Sequence, residues 1–445
     1  MWNIEDYKTK PVNTAKRLFK WLYPGMQVKR WIVLMVLGAS CVAFGAAILI
    51  GPDGLAVAGR RIAALLRQWK QPTPAPWNNK AGVGLIVLGI MLTIWGFRRV
   101  IHSLVIDLLP TDPGELAEII FHKRGLDKEP ALVVIGGGTG LSNLLRGLKN
   151  ETERITAIVT VADDGGSSGR IRSELGILPP GDIRNTLVAL ANTEPMMERL
   201  FQHRFNWGEG LQGHSFGNLF IAAMAEVTGD FEEAIRASSQ VLAVRGQVLP
   251  STLSSVVLKA EYADGTITIG ESLIPQNNKT IRQVFLEPEN CAPVPEAVES
   301  IETADGIILG PGSLYTSVIP NLLVKDIREA IRQSSAPKIY VCNVMTQSGE
   351  TQGYSASDHI RAIIDHAGTG LIDYVIVNTV PVPEKLQERY LAEGAVPVKA
   401  DLDKIRALGI TAIEAEVISM TNLVRHDPEK LRAVIHELLV RHWPS

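Results

Sequence analysis

The stretch "ALVVIGGGTGLSNLLRGLK", residues 131–149, decides the fold. Leu132 to Ile135 are four apolar residues in a row and read as a buried strand. Gly136, Gly137, Gly138 and Gly140 make a turn, and an amphipathic run from Leu141 reads as a helix. A strand, a glycine turn and a helix amino-terminus form a phosphate cradle, because the unpaired amides of the first helical turn point at the ligand. The loop is not the G-x-G-x-x-G dinucleotide pattern, since Leu141 and Asn143 stand where a glycine is needed. It is not a Walker loop either, as no Gly-Lys-Ser/Thr follows.

From residue 130 onward strands and helices alternate. Strands are expected at 131–136, 155–162, 255–262, 266–270, 306–309, 338–343 and 373–377. Helices are expected at 141–149, 182–192, 214–227, 230–242, 322–333, 356–367, 383–392 and 428–440. This predicts an α/β, Rossmann-like, mostly parallel sheet with helices on both faces. "EYADGTITIGES", residues 261–272, reads instead as a hairpin around Asp264-Gly265, a small antiparallel insertion.

Ligands of such sheets bind beyond the carboxyl ends of the strands, and six of those ends here carry small or polar residues. They are Gly137, Gly138, Thr139 and Gly140; Asp163, Asp164, Gly165, Gly166, Ser167 and Ser168; and Gly181, Asp182, Arg184 and Asn185. The other three are Gly310, Pro311, Gly312 and Ser313; Asn343; and Asn378. "GHSFGN" adds His214, Ser215 and Asn218 at a helix start, in a capping or ligand-orienting role. Arg184, with Arg170 and Arg172, is placed to pair with phosphate oxygens.

Asp163-Asp164 reads two ways: as a Mg²⁺ or hydroxyl ligand and catalytic candidate, or as a plain turn. Their distance from the first loop also suits an adenosine ribose, which keeps an NAD enzyme as a weaker alternative. No cofactor is required by any motif.

The 445 residues carry a net charge of −3, which gives no nucleic-acid signature. Three cysteines at unrelated spacings, and no histidine pair at metal-binding spacing, support neither a disulfide framework nor a zinc site. Trp31 to Gly51 is a run of 21 uncharged residues at bilayer length, and Ala81 to Phe97 is a slightly short run of 17. They predict a transmembrane helical hairpin in residues 1–110, with an extended proline-rich loop at 71–77. A linker helix over 111–129 and the α/β ligand-binding domain over 130–445 would follow. The basic residues before the first span and Arg98-Arg99 after the second put both ends in the cytoplasm, so the domain would be tethered to the cytoplasmic membrane.

Together, "GGGTGLSNLLRGLK", "VADDGGSSGRIR", "PPGDIRN", "GHSFGNL", "DGIILGPGSLYTSVIPNLL", "NVMTQSGET" and "RHDPEKL" closely resemble the gluconeogenesis-factor family. That family lies in the superfamily of 2-phospho-L-lactate transferases of deazaflavin-cofactor synthesis. The resemblance implies a regulatory protein that binds a UDP-sugar, with UDP-N-acetylglucosamine the expected ligand. It also implies a need for the protein in cell shape and peptidoglycan homeostasis during gluconeogenic growth. It maps two further ligand-binding residues, Tyr390 to stack on uracil or sugar and Arg425 to neutralise diphosphate. Typical members lack the amino-terminal hairpin. A Mg-dependent phospho-transferase using a nucleotide-activated donor is the alternative, and a homo-oligomer is compatible with everything above.

Overall fold

A computed structural model describes residues 29–58, 75–108, 129–192, 195–420 and 424–442. The chain divides into two compact units, residues 1–125 and 126–445.

In the first unit, helices α1 (Lys29–Ala58) and α2 (Ala75–Leu108) pack against each other. Gly38 faces Gly89 and Thr93, Gly45 faces Gly82 and Ile86, and Gly96 faces Met35, so the two run antiparallel. The relative lengths differ from the sequence expectation. Lys80–Arg99, 20 residues with a mean hydropathy of 1.8, is long and apolar enough to cross a membrane, whereas the apolar part of α1 is the shorter Val33–Leu49. α2 begins at Ala75, so the end of the proline-rich stretch expected to be extended is already helical. The linker helix expected over 111–129 lies outside the described residues, apart from Glu129 at its end.

The second unit is an α/β domain. β1 (Leu132–Gly136), β2 (Ile155–Val159), β3 (Gln247–Pro250), β7 (Gly306–Leu309), β8 (Lys338–Val341), β9 (Tyr374–Asn378) and β10 (Thr411–Ala415) form one sheet. Its order is β10-β9-β8-β7-β1-β2-β3, and every pairing is parallel. β1 and β7 are buried along their whole length, as strands covered on both faces must be. From β1 the chain builds outward through β2 and β3. It then crosses back to β7 on the other side of β1 and continues to β10. The carboxyl ends of β1 and β7, paired at Ile135 and Leu309, therefore lie at the switch point of the sheet.

The expected hairpin is present as β4 (Val257–Tyr262) and β5 (Ile267–Ile269), with Asp264 accepting the Thr266 N–H in the turn. A third antiparallel strand, β6 (Ile281–Glu287), completes this small sheet. β11 (Ile418–Met420) and β12 (Val424–His426) form a separate antiparallel pair.

Three local readings change. Helix α3 (Gly138–Leu148) takes in the last glycines of the expected turn. The serine-glycine stretch after β2, expected as a loop, forms helix α4 (Gly166–Leu175), stopped by left-handed Gly176. Helix α5 spans Gly181–Leu190, and Asp182 lies in its first turn rather than at the cap, which is Pro180.

Candidate functional site

A cleft of about 220 Å³ opens at the switch point. Its floor is the glycine loop, with Gly137, Gly138, Thr139 and Gly140 at the amino-terminus of α3. Gly137 is extended and Gly138 has a φ of +67°, a conformation that strains any side chain. No side chain caps α3, so its first-turn amides remain available to a ligand. The exception is the Gly138 amide, which hydrogen-bonds Asp182. A Cβ on Gly137 would lie 2.5 Å from the Asp182 carboxylate, so the loop is closed from behind by this acid.

Opposite the loop lie Pro311, Gly312 and Ser313 after β7, with Ser317 from the turn that follows. Gly310 sets up this second loop at a φ of +75°. Asn343, beyond β8, donates to the Gly312 carbonyl at 2.9 Å, and Gln347 donates to the Ser313 hydroxyl at 2.7 Å. The two amides fix the second loop against the segment that follows β8.

The remaining wall comes from the far end of the chain. Arg425 on β12 is exposed and lines the cleft. Its neighbours explain its placement. His426 is buried, donates through Nε2 to the Cys342 carbonyl at 3.1 Å, and receives the Asn143 amide on its own carbonyl. Burial holds its pKa down at about 4, so the ring is a neutral staple. Asp427 caps helix α8 (Pro428–His442) by accepting the Glu429 and Lys430 amides. Tyr390 accepts the Val424 N–H at 3.0 Å, and its ring packs in a small cluster with Val344, Met345, Val382, Ile418 and Val424. Its half-buried side chain braces β12 and does not line the cleft itself.

The second group of expected residues lies behind the glycine loop. Ser167 meets His214 Nδ1 at 3.0 Å, and Asn218 donates to Ser167 at 3.1 Å. Ser215 caps helix α6 (Phe216–Thr228) by accepting the Asn218 amide. Arg184 is 7% exposed and donates to Ser215, Asn218 and Asn185. Both terminal nitrogens of Arg184 are thus held by protein groups, while its buried Nε has no hydrogen-bond partner among the described residues. Arg170 and Arg172 are likewise tied to carbonyls, those of Gln212 and Gly210 for the first and Val256 for the second.

Asp163 accepts the Gly165 amide at 2.9 Å, and Asp164 accepts the Ser272 amide at 2.9 Å, so one oxygen of each is already used. A Cβ on Gly181 would lie 2.9 Å from the other Asp163 oxygen, which packs the start of α5 against this turn. Negative charge accumulates here. Burial first, then Asp163, pushes Asp182 up to about 6. Burial, with Asp163, Asp182, Glu350 and Asp164 around it, pushes Glu271 up to about 8. Burial raises Glu350 to about 7, against hydrogen bonds from the Tyr315 amide and the Thr316 hydroxyl. Among the described residues no three acidic, histidine or cysteine side chains converge as ligands.

Asn378 is not brought to the cleft. It ends β9 and lines neighbouring cavities with Val344, Val380, Val382 and Gln387, and it donates to the Val380 carbonyl. Conversely, the sequence reading passed over Asn143, Ser317, Val344, Met345, Gln347, Val424 and His426, which line the cleft. Glu271 and Glu350 were missed as well. Gln347 and Glu350 stand in "NVMTQSGET" and His426 in "RHDPEKL", so the motifs were visible while the individual roles were not.

Residues 132–418 match the family model of the 2-phospho-L-lactate transferase CofD. The gluconeogenesis factor of Bacillus subtilis is 51% identical over 315 residues, which cover 71% of this chain and 99% of that protein. A Nostoc protein is 48% identical over 434 residues, 97% of this chain and 94% of its own, so its similarity extends through the two amino-terminal helices. A crystal structure from Bacillus halodurans superposes with a TM-score of 0.68 at 54% identity, covering 69% of this chain and 99% of that one.

Proposed function

Because the chain belongs to the gluconeogenesis-factor branch of the CofD family, we propose that its switch-point cleft binds a UDP-sugar, UDP-N-acetylglucosamine being the expected ligand, as a regulatory signal. One observation carries the reading. Uncapped amides of α3, the Ser313 and Ser317 hydroxyls and the exposed Arg425 guanidinium face one cleft. Amides at a helix start and a free guanidinium are the groups that hold a diphosphate. Val344, Met345 and Val424 give the same cleft an apolar side for a base or sugar ring. In this reading the protein reports precursor supply for cell-wall assembly during gluconeogenic growth, and the helices α1 and α2 hold it at the cytoplasmic membrane.

The test is a thermal-shift and calorimetric screen of residues 126–445 against UDP-N-acetylglucosamine, UDP, UMP, NAD and NADP. A ligand that binds only the folded state raises the melting temperature. Stabilisation by the UDP-sugar and none by NAD(P) is expected. Stabilisation by NAD(P) alone would overturn the reading in favour of an oxidoreductase.

A second reading follows from the carboxyl groups of Asp182, behind the glycine loop, and of Glu350, against the Tyr315 amide, which titrate near neutrality. Such groups suit proton transfer in a phospho-transferase. Mg²⁺ would supply charge neutralisation of the transferred group there, with Asp163 or Asp164 contributing an oxygen. Release of UDP or UMP from UDP-N-acetylglucosamine with Mg²⁺ present would favour this reading; saturable binding without turnover favours the regulatory one.

A further inference from the structure

The α1–α2 pair is built inside out relative to a water-soluble hairpin. Its seam is made of glycines: Gly38 and Gly45 on α1, and Gly82, Gly89 and Gly96 on α2, each set repeating every seven residues. A Cβ on Gly89 would lie 2.6 Å from the Gly38 carbonyl oxygen, and one on Gly45 would lie 2.8 Å from that of Gly82. The helices thus touch backbone to backbone, the small-residue packing by which helices associate when burial from water offers no gain.

The large apolar side chains point the other way. Phe44 and Met91 are each 64% exposed, and Val33, Val36, Leu37, Val87, Ile94 and Phe97 are exposed with them. The polar side chains inside the apolar stretches are satisfied within their own helices: Ser40 donates to the Val36 carbonyl and Thr93 to that of Gly89, both at 2.8 Å. A surface of this kind needs no water to complete its hydrogen bonds.

One end of the pair differs from the other. Trp31 and Trp95 meet edge to face at 5.8 Å, and the Arg99 guanidinium lies over the Trp31 ring at 5.4 Å. Arg98 is exposed beside it, and Lys29 and Arg30 precede Trp31 in the chain. Between Asp6 and Asp53, and again between Asp53 and Asp107, the sequence has no acidic residue to pair with these charges. From Trp31, the 18 residues to Leu49 at the other end of the seam rise ~27 Å, close to the thickness of a hydrocarbon core. Amphipathic tryptophan rings and arginines collect where such a core meets its headgroups.

We propose that the pair is a glycine-seamed bilayer anchor whose Trp31–Trp95–Arg99 end contacts the phosphates of an anionic phospholipid leaflet. This rests on the membrane-tether reading above and adds to it the lipid and the contact.

The experiment reconstitutes the full chain in vesicles of equal phosphatidylcholine and phosphatidylglycerol. It then counts by mass spectrometry the lipids retained on the protein after mild detergent extraction. Phosphatidylglycerol enrichment is expected, falling about fivefold for each arginine removed in Arg98→Gln and Arg99→Gln, and persisting in Lys80→Gln at the other end. Equal retention of both lipids in the unaltered chain, or enrichment that survives loss of both arginines, overturns the lipid contact. Carbonate washing separates this from the tether itself: a chain that washes off the vesicles overturns both. The seam is read separately, by the distance between spin labels on Val33→Cys and Phe97→Cys. It should widen in Gly89→Leu and hold in Gly84→Leu, because a Cβ on Gly84 meets nothing within 4 Å. A distance unchanged in both overturns the glycine seam.

Discussion

Arg425 and Tyr390 act on the same short strand by different means, and their substitutions separate accordingly. Arg425 is exposed in the cleft and, among the described residues, its side chain holds no hydrogen bond or ion pair, so Arg425→Ala should keep the melting temperature of the domain. A charge-assisted contact is worth about 1.5–3 kcal/mol, so affinity for UDP-N-acetylglucosamine should fall roughly 10- to 100-fold by calorimetry. Tyr390→Phe removes the acceptor for the Val424 amide and should cost about 1 kcal/mol of stability with a smaller loss of affinity. Equal effects of the two on affinity alone would contradict this division. Glu271 supplies a pH test. Its folded pKa, about 8, lies above the ordinary 4.5, so the folded state binds the proton more tightly than the unfolded one. Its contribution to stability is present below pH 4.5 and is lost as pH rises through 8. Glu271→Gln removes that titration, so denaturant midpoints of the variant should decline less than those of the parent between pH 6 and 9.

At the scale of elements, the end of the chain is held to the glycine-loop helix by an approach only glycine allows. A Cβ on Gly147 of α3 would lie within 2.3 Å of the Pro428 carbonyl oxygen at the start of α8. Gly147→Ala must displace backbone, so a loss of about 1–3 kcal/mol in thermal or denaturant unfolding is expected. Because α8 follows β12 directly, UDP-sugar affinity should drop with it. This dependence was not legible in the sequence, where Gly147 is one residue of an amphipathic run. The helix over 356–367 was legible to the residue, since Ser355 and Asp358 form a capping box at its start and Gly368 follows its end. β10 and β12 were not legible because β10 is a half-exposed strand at the sheet edge and β12 is only three residues long. The serine-glycine run after β2 was misread because its composition favours turns. Only packing of Ile171 and the serines makes it helical.

For the whole molecule, the chain divides into a helical pair and an α/β domain. The Bacillus subtilis relative matches 71% of this chain with 99% of itself, so the α/β domain has a counterpart that stands without the matched helices. Residues 126–445 should therefore purify without detergent and bind UDP-N-acetylglucosamine with the affinity of the full chain. The full chain should sediment with membranes and resist carbonate. A large affinity difference between the two would show that the helices contribute to the site. The parallel sheet and its switch-point loops were readable because strand, glycine turn and helix repeat along the chain. The division of labour inside the site was not. Arg184 and Tyr390 read as ligand contacts in sequence, and their bonds to Ser215, Asn218 and Val424 come from residues too distant in the chain to be anticipated.

The acid behind the glycine loop gives the cleft a calorimetric signature. Asp182 shares the loop's own amide and titrates at about 6, so a diphosphate arriving in front of it brings a second negative charge to the same few ångströms. Like charge favours the protonated acid, and binding near neutrality must then draw a fraction of a proton from solution. The apparent binding heat should vary with the ionisation enthalpy of the buffer, with a slope signifying uptake that is steepest between pH 6 and 8. Asp182→Asn should bind with heats that no longer depend on the buffer. The protein would in this sense take up part of a proton along with each anion, and its affinity for the sugar nucleotide would rise as its surroundings acidify.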